Sequence, residues 1–126
     1  DHAVNMVEAR DRTGGRLNAY RGPMLDSAAR ASRLVEKMLD DICACLEKHD
    51  RNHAEAVLAN EEKLNALDNA SRSQYTAAMC VRESNGLLDL AILDFISYCE
   101  RIGDHLTNIA QSVIGGGIWH GELDQP

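Results

Sequence analysis

Residues 88–113 read LDLAILDFISYCERIGDHLTNIAQSV, and this stretch decides the fold class. Its apolar side chains recur at alternating steps of four and three residues, at Leu88, Ile92, Phe95, Cys99, Ile102, Leu106, Ile109 and Val113. That spacing is typical of one face of an α-helix. Three glycines follow at 115–117 and are expected to end the helix, because glycine loses the most backbone entropy on ordering. The stretch therefore predicts a long amphipathic helix.

Two further helical patterns precede it. A weaker one runs from Val57 to Val81, and a turn signal at 84–86 separates it from the last helix. The first long pattern ends at 49–52, where Asp50 or Asn52 can cap the next helix. Its apolar residues are Leu25, Ala28, Ser32, Val35, Leu39, Ile42 and Leu46. We predict an all-α fold, an antiparallel up-down three-helix bundle with a short additional N-terminal helix.

The run Asp-His-x-x-Asn occurs twice in the chain. It opens the sequence at 1–5 and recurs at 104–108 in the last predicted helix. Because a repeated helix end indicates a repeated bundle, we interpret residues 1–22 as the end of a preceding repeat's helix plus a connector. Residues 23–117 are predicted to form the three-helix bundle, and residues 118–126 a flexible tail.

Size and charge limit the classes of function. The 126 residues suit one domain, and the formal net charge is −7. Without a basic stripe to neutralise phosphates, nucleic acid is not an expected partner. An acidic surface suits cations or basic partners, although solubility is its commoner meaning.

The four cysteines show no metal-binding spacing. Cys43 and Cys45 lie about 200° apart around a helix, and no C-x-x-C pair occurs. We expect reduced thiols in a reducing compartment. No signal peptide and no run of 18 apolar residues occurs, so this piece is expected to contain no membrane segment.

An acidic stripe lies on the last predicted helix. Glu100, Asp104 and Asn108 follow one another at single-turn spacing, and Asp89 is expected on the same side of the helix. Carboxylate and amide oxygens in this arrangement can coordinate a hard cation. The alternative is a solvated acidic face, which is the commoner meaning of such a stripe.

The second predicted helix carries comparable oxygen donors. Glu61, Asn65 and Asp68 share one face, so they could meet the acidic stripe if the two helices are neighbours. No Glu-x-x-His occurs, which argues against a ferritin-like di-iron bundle. Nor is there a Gly-rich phosphate loop or a nucleophile elbow, so catalysis is not expected.

Three residues that lie between Glu100 and Asn108 in sequence, but outside the stripe, are also notable. Gly103 costs up to about 1 kcal/mol in mid-helix relative to alanine, which indicates either close helix packing or exposed backbone beside the carboxylates. Arg101 is expected to pair with an acidic neighbour. His105 is either a metal ligand or an interhelical hydrogen-bonding group.

Two runs resemble PhoU-like domains. CERIGDHLTNIA, at 99–110, resembles their third-helix signature, Glu-Arg-Ile-Gly/Ala-Asp-His/x-x-x-Asn-Ile. VLANEEKLNAL, at 57–67, is similar to their second-helix pattern, Val-Ile-x-x-Asp/Glu-x-x-Val-Asn/Asp-x-Leu. The resemblance covers about residues 24–114, one three-helix repeat, and residues 1–8 look like the end of a preceding repeat.

The resemblance implies a metal site. Some PhoU-like domains bind multinuclear iron or zinc clusters through a Glu/Asp-x-x-x-Asp motif. Carried over to this chain, that motif implies Glu100 and Asp104 as ligands, with Glu61 as a further candidate. Asn65 stands where some members have Asp, and Asp1 would be half of an incomplete second motif.

The resemblance also implies a role in phosphate transport. Members are bacterial phosphate-signalling regulators or cytoplasmic regions of sodium/phosphate cotransporters. Residues 82–90 depart from the Pro-x-Ala-x-Asp-Leu-Arg start of the third helix in free-standing members, which favours the cotransporter context. We therefore expect a regulatory, non-enzymatic domain at the inner face of the membrane, with transporter and regulatory proteins as partners. A homodimer that completes the two-repeat arrangement is a further expectation. The alternatives are a free-standing regulator and a metal-dependent enzyme that uses the acidic stripe.

Overall fold

Four α-helices make up the computed structural model, which describes residues 1–11, 24–80 and 86–115. They are α1 (His2–Asp11), α2 (Met24–Lys48), α3 (Arg51–Cys80) and α4 (Leu87–Ile114). No strand occurs within these described ranges. The predicted all-α class is confirmed.

The three long helices pack against one another, and α1 packs against α4. Helices α2, α3 and α4 contain 25, 30 and 28 residues, so they are long enough to share one core along most of their length. This is the predicted three-helix bundle with a short extra helix at the N-terminal side.

The link between α2 and α3 is two residues long. His49 adopts a left-handed conformation with φ of 52°, which ends α2 in the way that helices commonly end. The carboxylate of Asp50 accepts a hydrogen bond from the backbone N–H of Asn52 at 2.8 Å. Asp50 therefore supplies the predicted cap of α3.

The buried face of α2 is rotated from the predicted one. Leu25, Leu39 and Leu46 are 37%, 43% and 53% exposed, whereas Val35 and Ile42 are buried as predicted. The side chains that α2 contributes to the core are Met24, Ala31, Val35, Met38, Ile42 and Cys45. Val35 and Ile42 are shared by the two rows, and Met38 and Cys45 are buried where Leu39 and Leu46 were predicted to be.

Helix α4 buries two adjacent rows. Ile92, Cys99 and Leu106 are buried as predicted, while Ile109 is 38% exposed. The second row consists of Ile96, Gly103 and Ala110. A helix that contacts three neighbours requires a wider apolar face than one seam.

Helix ends and cysteines agree with the sequence analysis where they are described. Helix α4 ends before Gly115, whose N–H donates to the Gln111 carbonyl at 2.8 Å. All four cysteines are free, with Cys45 and Cys99 buried. The predicted connector at 12–22, the turn residues 84–85 and the tail at 118–126 lie outside the described residues. None of the described helices is long and apolar enough to cross a membrane.

Candidate metal centre

Three carboxylates meet where α3 packs against α4. One oxygen from each of Glu61, Glu100 and Asp104 lies within 4.8 Å of the others. Glu61 and Glu100 are partly buried, and Asp104 is exposed. The structure therefore brings together all three residues that the sequence analysis selected as metal ligands.

A glycine allows the helices to approach closely beside this cluster. Gly103 is buried, and a Cβ built on it would lie 2.8 Å from Cδ2 of Leu64 and 3.4 Å from Cε of Met38. Leu64 lies one turn after Glu61 on α3, and Gly103 immediately precedes Asp104 on α4. The close-packing interpretation of Gly103 is confirmed.

The three acids repel one another when they are ionised. Burial raises the pKa of Glu100 to about 7, with further contributions from Asp104, Asp68 and Glu61. Burial also raises the pKa of Glu61, with a second contribution from Asp104. The protein thus retains a proton in the cluster near neutral pH, and a bound cation would compensate the same charge.

Asn65 and Asp68 surround the cluster on the α3 side. Nδ2 of Asn65 donates to Oε1 of Glu61 at 3.0 Å, which orients that carboxylate. Asp68 is buried and adds to the negative potential at Glu100. These two predicted additional contacts act on the cluster through Glu61 and Glu100.

Asp68 has two polar partners that were not predicted, one on α3 and one across the interface on α4. Its Oδ1 accepts a hydrogen bond from Oγ of Ser97 at 3.1 Å, and its Oδ2 accepts one from Nε of Arg72 at 3.3 Å. Arg72 also donates to Ser97 at 2.7 Å. The spacing of Asp68 and Arg72, one turn apart, could have indicated their ion pair. No sequence signal identifies Ser97, because its role depends on which helices are neighbours.

Two other residues of the predicted stripe also lie on α4. Asp89 is on the same side of the helix as Glu100 by spacing, but it is 5% exposed, so the prediction that it points outward was wrong. It lies in the first turn of α4, where unpaired N–H groups and the helix dipole stabilise a carboxylate. Fifteen residues, or about 22 Å of helix, separate it from Asp104. Asn108 is exposed, and its backbone carbonyl accepts a hydrogen bond from Ser112.

His105 makes an interhelical contact. Its Nε2 lies 3.2 Å from Nε2 of His2 on α1, and the two rings stack. The hydrogen-bonding interpretation of His105 thus agrees with the structure. Arg101 lies over the ring of Tyr98 at 5.4 Å, and within the described ranges it forms no ion pair, contrary to the prediction.

The donor set favours a hard cation. Three carboxylates provide only oxygen ligands, which suit hard ions better than zinc, usually held by Cys or His. Cys99 neighbours Glu100 in sequence, but burial raises the pKa of its thiol to about 12, which disfavours a thiolate ligand. Exposed Asp104 leaves a path by which an ion can reach the cluster.

Comparisons with known proteins agree on one family. The sequence profile described as "PhoU domain" matches residues 28–113, well over half of the chain. A curated protein from Synechocystis sp., named "Phosphate-specific transport system accessory protein PhoU homolog", is 31% identical over 93 residues. No solved structure matches the chain.

The chain belongs to the PhoU domain family. The aligned region covers 72% of this chain and 40% of the Synechocystis relative. It therefore corresponds to less than half of that protein's length. The profile match includes Glu61, Glu100 and Asp104.

Proposed function

We propose that this chain is a regulatory interaction domain of phosphate transport. The observation that supports this most directly is the family match across residues 28–113, which contains the whole carboxylate cluster. The name of the Synechocystis relative associates that protein with a phosphate-specific transport system. The domain would act through contacts with transporter or regulatory proteins on the cytoplasmic side of the membrane.

The parent protein has two candidate forms. Divergence of residues 82–90 from the family's usual start of the third helix supports a sodium/phosphate cotransporter with this domain attached. The relative's name supports a separate accessory protein. Sequencing the reading frame around this chain distinguishes them, because a cotransporter requires several long apolar segments in the same frame.

Metal binding at Glu61, Glu100 and Asp104 is the second part of the proposal. An ion there would neutralise the mutual repulsion of these acids, which adds to the effect of burial in raising the pKa of Glu100 and Glu61. It would also join α3 to α4, so metal loading would stiffen the face that these helices present to a partner. Of the two metals that the family resemblance implies, iron and zinc, iron fits a site of oxygen ligands better.

Metal content can be measured directly. Purified protein loaded with Fe³⁺ or Zn²⁺ and desalted is analysed by inductively coupled plasma mass spectrometry, alongside Asp104→Asn and Glu62→Gln. Glu62 is an exposed acid next to Glu61 in sequence and lies outside the cluster, so Glu62→Gln is the matched control. We expect Asp104→Asn alone to lose metal. Equal metal content in all three proteins would contradict the site.

The regulatory role requires a cellular test. Phosphate uptake is compared at low and high external phosphate in cells that carry the wild-type gene, a deletion of residues 24–114, or Asp104→Asn. We expect the deletion to disturb the response of uptake to phosphate, and Asp104→Asn to do so only if metal is required. An unchanged response in the deletion strain would refute the regulatory proposal.

An enzyme that uses the same carboxylates is the competing function. Metal-loaded protein should bind its ion without hydrolysing a phosphate ester such as p-nitrophenyl phosphate. Turnover that disappears in Asp104→Asn would favour the enzyme.

Sedimentation equilibrium tests the proposed homodimer, and a strict monomer at high concentration would exclude it.

A further inference from the structure

A second groove, on the other side of α3, carries the opposite charge. It lies between α2 and α3, has a volume of about 300 Å³, and is lined by Arg30, Arg33, Leu34 and Lys63. Three of its four lining side chains are cationic. They come from two helices, so the cations face a shared space.

These cations have no acidic partner within the part of the chain that the structure describes. Among the described residues, no carboxylate lies within ion-pair distance of any of the three. Other basic side chains on the same helices do have acidic partners, as in Lys37–Asp41 at 2.8 Å and Arg72–Asp68 at 3.3 Å. In a chain of net charge −7, an uncompensated basic groove is therefore unexpected.

Helix α3 separates the two charged regions. Glu61 and Lys63 are two residues apart, which places them about 200° apart around the helix. Glu61 joins the acidic cluster against α4, and Lys63 lines the basic groove against α2. An anion in the groove would therefore be on the far side of α3 from the carboxylates.

We propose that this groove binds a small, multiply charged oxyanion of the phosphate class. Two guanidinium groups can each donate two parallel hydrogen bonds to a phosphoryl group, and the lysine adds a point charge. The volume is at the lower limit of small-molecule sites, which span about 300–1,000 Å³. The shared chemistry is a phosphoryl group, whether free as inorganic phosphate or carried by a small ester.

This site is independent of the metal centre and of the regulatory role proposed above. It concerns a ligand of the domain, whereas the cellular test concerns the effect of the domain on transport. Failure of one leaves the other intact, because the groove shares no residue with the carboxylate cluster.

Nuclear magnetic resonance titration provides the test. Amide shifts of ¹⁵N-labelled protein are followed during addition of inorganic phosphate, glycerol 3-phosphate or chloride at constant ionic strength, with a chelator present to exclude metal-mediated binding. We expect saturable shifts centred on residues 30–34 and 63 with at least one phosphate compound. Saturation by the ester alone assigns the ligand to phosphate esters, and saturation by both assigns it to the phosphoryl group itself.

Variants make the result specific. Arg30→Gln with Arg33→Gln should weaken binding by at least about tenfold, because each charge-assisted hydrogen bond lost carries roughly this factor or more. Arg51→Gln is the control, since Arg51 is an exposed arginine of α3 that pairs with Glu55. Circular dichroism checks that the variants remain folded, and Lys63→Ala provides an independent single change if the double variant does not fold. Chloride shifts equal to those of phosphate, non-saturating shifts, or unchanged affinity in the folded variants would overturn the proposal.

Discussion

Gly103 on α4 lies directly against Leu64 on α3, with room for no side chain between them. A Cβ at residue 103 would come within 2.8 Å of Cδ2 of Leu64, and Leu64 itself is fully buried. The leucine can yield only by displacing other core atoms. This contact fixes how closely α3 and α4 approach beside the carboxylate cluster.

The first prediction concerns Gly103→Ala. Overpacking a core costs about 1–3 kcal/mol, whereas alanine gains up to about 1 kcal/mol of helix propensity, so we expect a net loss of stability. In a Leu64→Ala background the clash is gone, and the same substitution should become neutral or stabilising. Urea unfolding of the four proteins of this double-mutant cycle measures the change of sign. Additive effects would show that the two residues do not interact.

The second prediction concerns the pH dependence that Glu100 confers. Its pKa is about 7 in the folded protein, against an ordinary value of 4.5. Between these values the folded state binds more protons than the unfolded state, so stability decreases as pH rises through this window and stays lower above it. Glu100→Gln should remove this contribution and stabilise the metal-free protein above pH 7.

The measurement is the urea midpoint between pH 4.5 and 8 in the presence of a chelator, compared between wild type and Glu100→Gln. Glu61 contributes in the same direction, because its pKa is also raised, so some slope should remain in the variant. Glu62→Gln should retain most of the wild-type slope, because Glu62 does not act on Glu100 and is the smallest of the causes that raise the pKa of Glu61. Parallel curves for wild type and Glu100→Gln would show that Glu100 titrates normally.

The sequence predicted the carboxylate cluster better than it predicted the packing of α2. Spacing alone places Glu100 and Asp104 on one helix face and Glu61 with the oxygen donors of the preceding helix, and the family resemblance then selected Glu61 as a further ligand candidate. In α2, however, Leu25 and Leu39 belong to an apolar row that competes with the row through Met38. Spacing alone does not decide between adjacent rows.

The polar contact between α3 and α4 could not be predicted from the sequence either. Ser97 meets Asp68 only because α3 and α4 are neighbours in one register. The burial of Asp89 was also missed, because helix spacing gives the angular position of a side chain but does not show which part of that side other elements cover.

The third prediction concerns Asp41, a buried carboxylate that joins α2 to α3. Its oxygens accept hydrogen bonds from Nζ of Lys37 at 2.8 and 2.9 Å, and Oδ1 lies 3.0 Å from Nδ1 of His53. A carboxylate can only accept, so Nδ1 of His53 carries the hydrogen. His53→Ala should lower the free energy of unfolding by about 1–3 kcal/mol, because a buried charge loses a partner. Lys37→Ala should cost less, since Lys37 is largely exposed and its pair is solvent-screened.

Acid should remove this contribution. Burial opposes ionisation of Asp41, but the hydrogen bonds from Lys37 and His53 outweigh it and hold the pKa of Asp41 below its ordinary value of 3.8. The stabilisation is therefore present above that value and is lost as pH falls through the folded-state pKa. Urea unfolding at pH 7 and near pH 3 measures both effects, with Arg51→Ala as an exposed ion-pair control. Equal losses for His53→Ala and Arg51→Ala at pH 7 would contradict the role of Asp41.

The fourth prediction concerns the contact between α1 and α4. Nε2 of His2 and Nε2 of His105 are 3.2 Å apart, so one ring donates to the other only while at least one histidine is neutral. Burial lowers the pKa of His2, and His105 and Arg101 lower it further. Nδ1 of His2 is also buried and has no hydrogen-bond partner among the described residues, which further disfavours the charged ring.

The lowered pKa of His2 determines how the stability of this contact changes with pH. The contact contributes stability that is present above the ordinary histidine pKa of 6.5 and is lost as pH falls through the lower folded-state value. Hydrogen exchange of α1 amides, corrected for intrinsic rates, should therefore show less protection at pH 5 than at pH 8. His105→Gln should remove most of this difference, because its amide does not become charged. His49→Gln is the matched control, since His49 is exposed at the end of α2. A pH-independent protection of α1 in wild type, or an unchanged pH response in His105→Gln, would show that this histidine pair does not hold α1 in place.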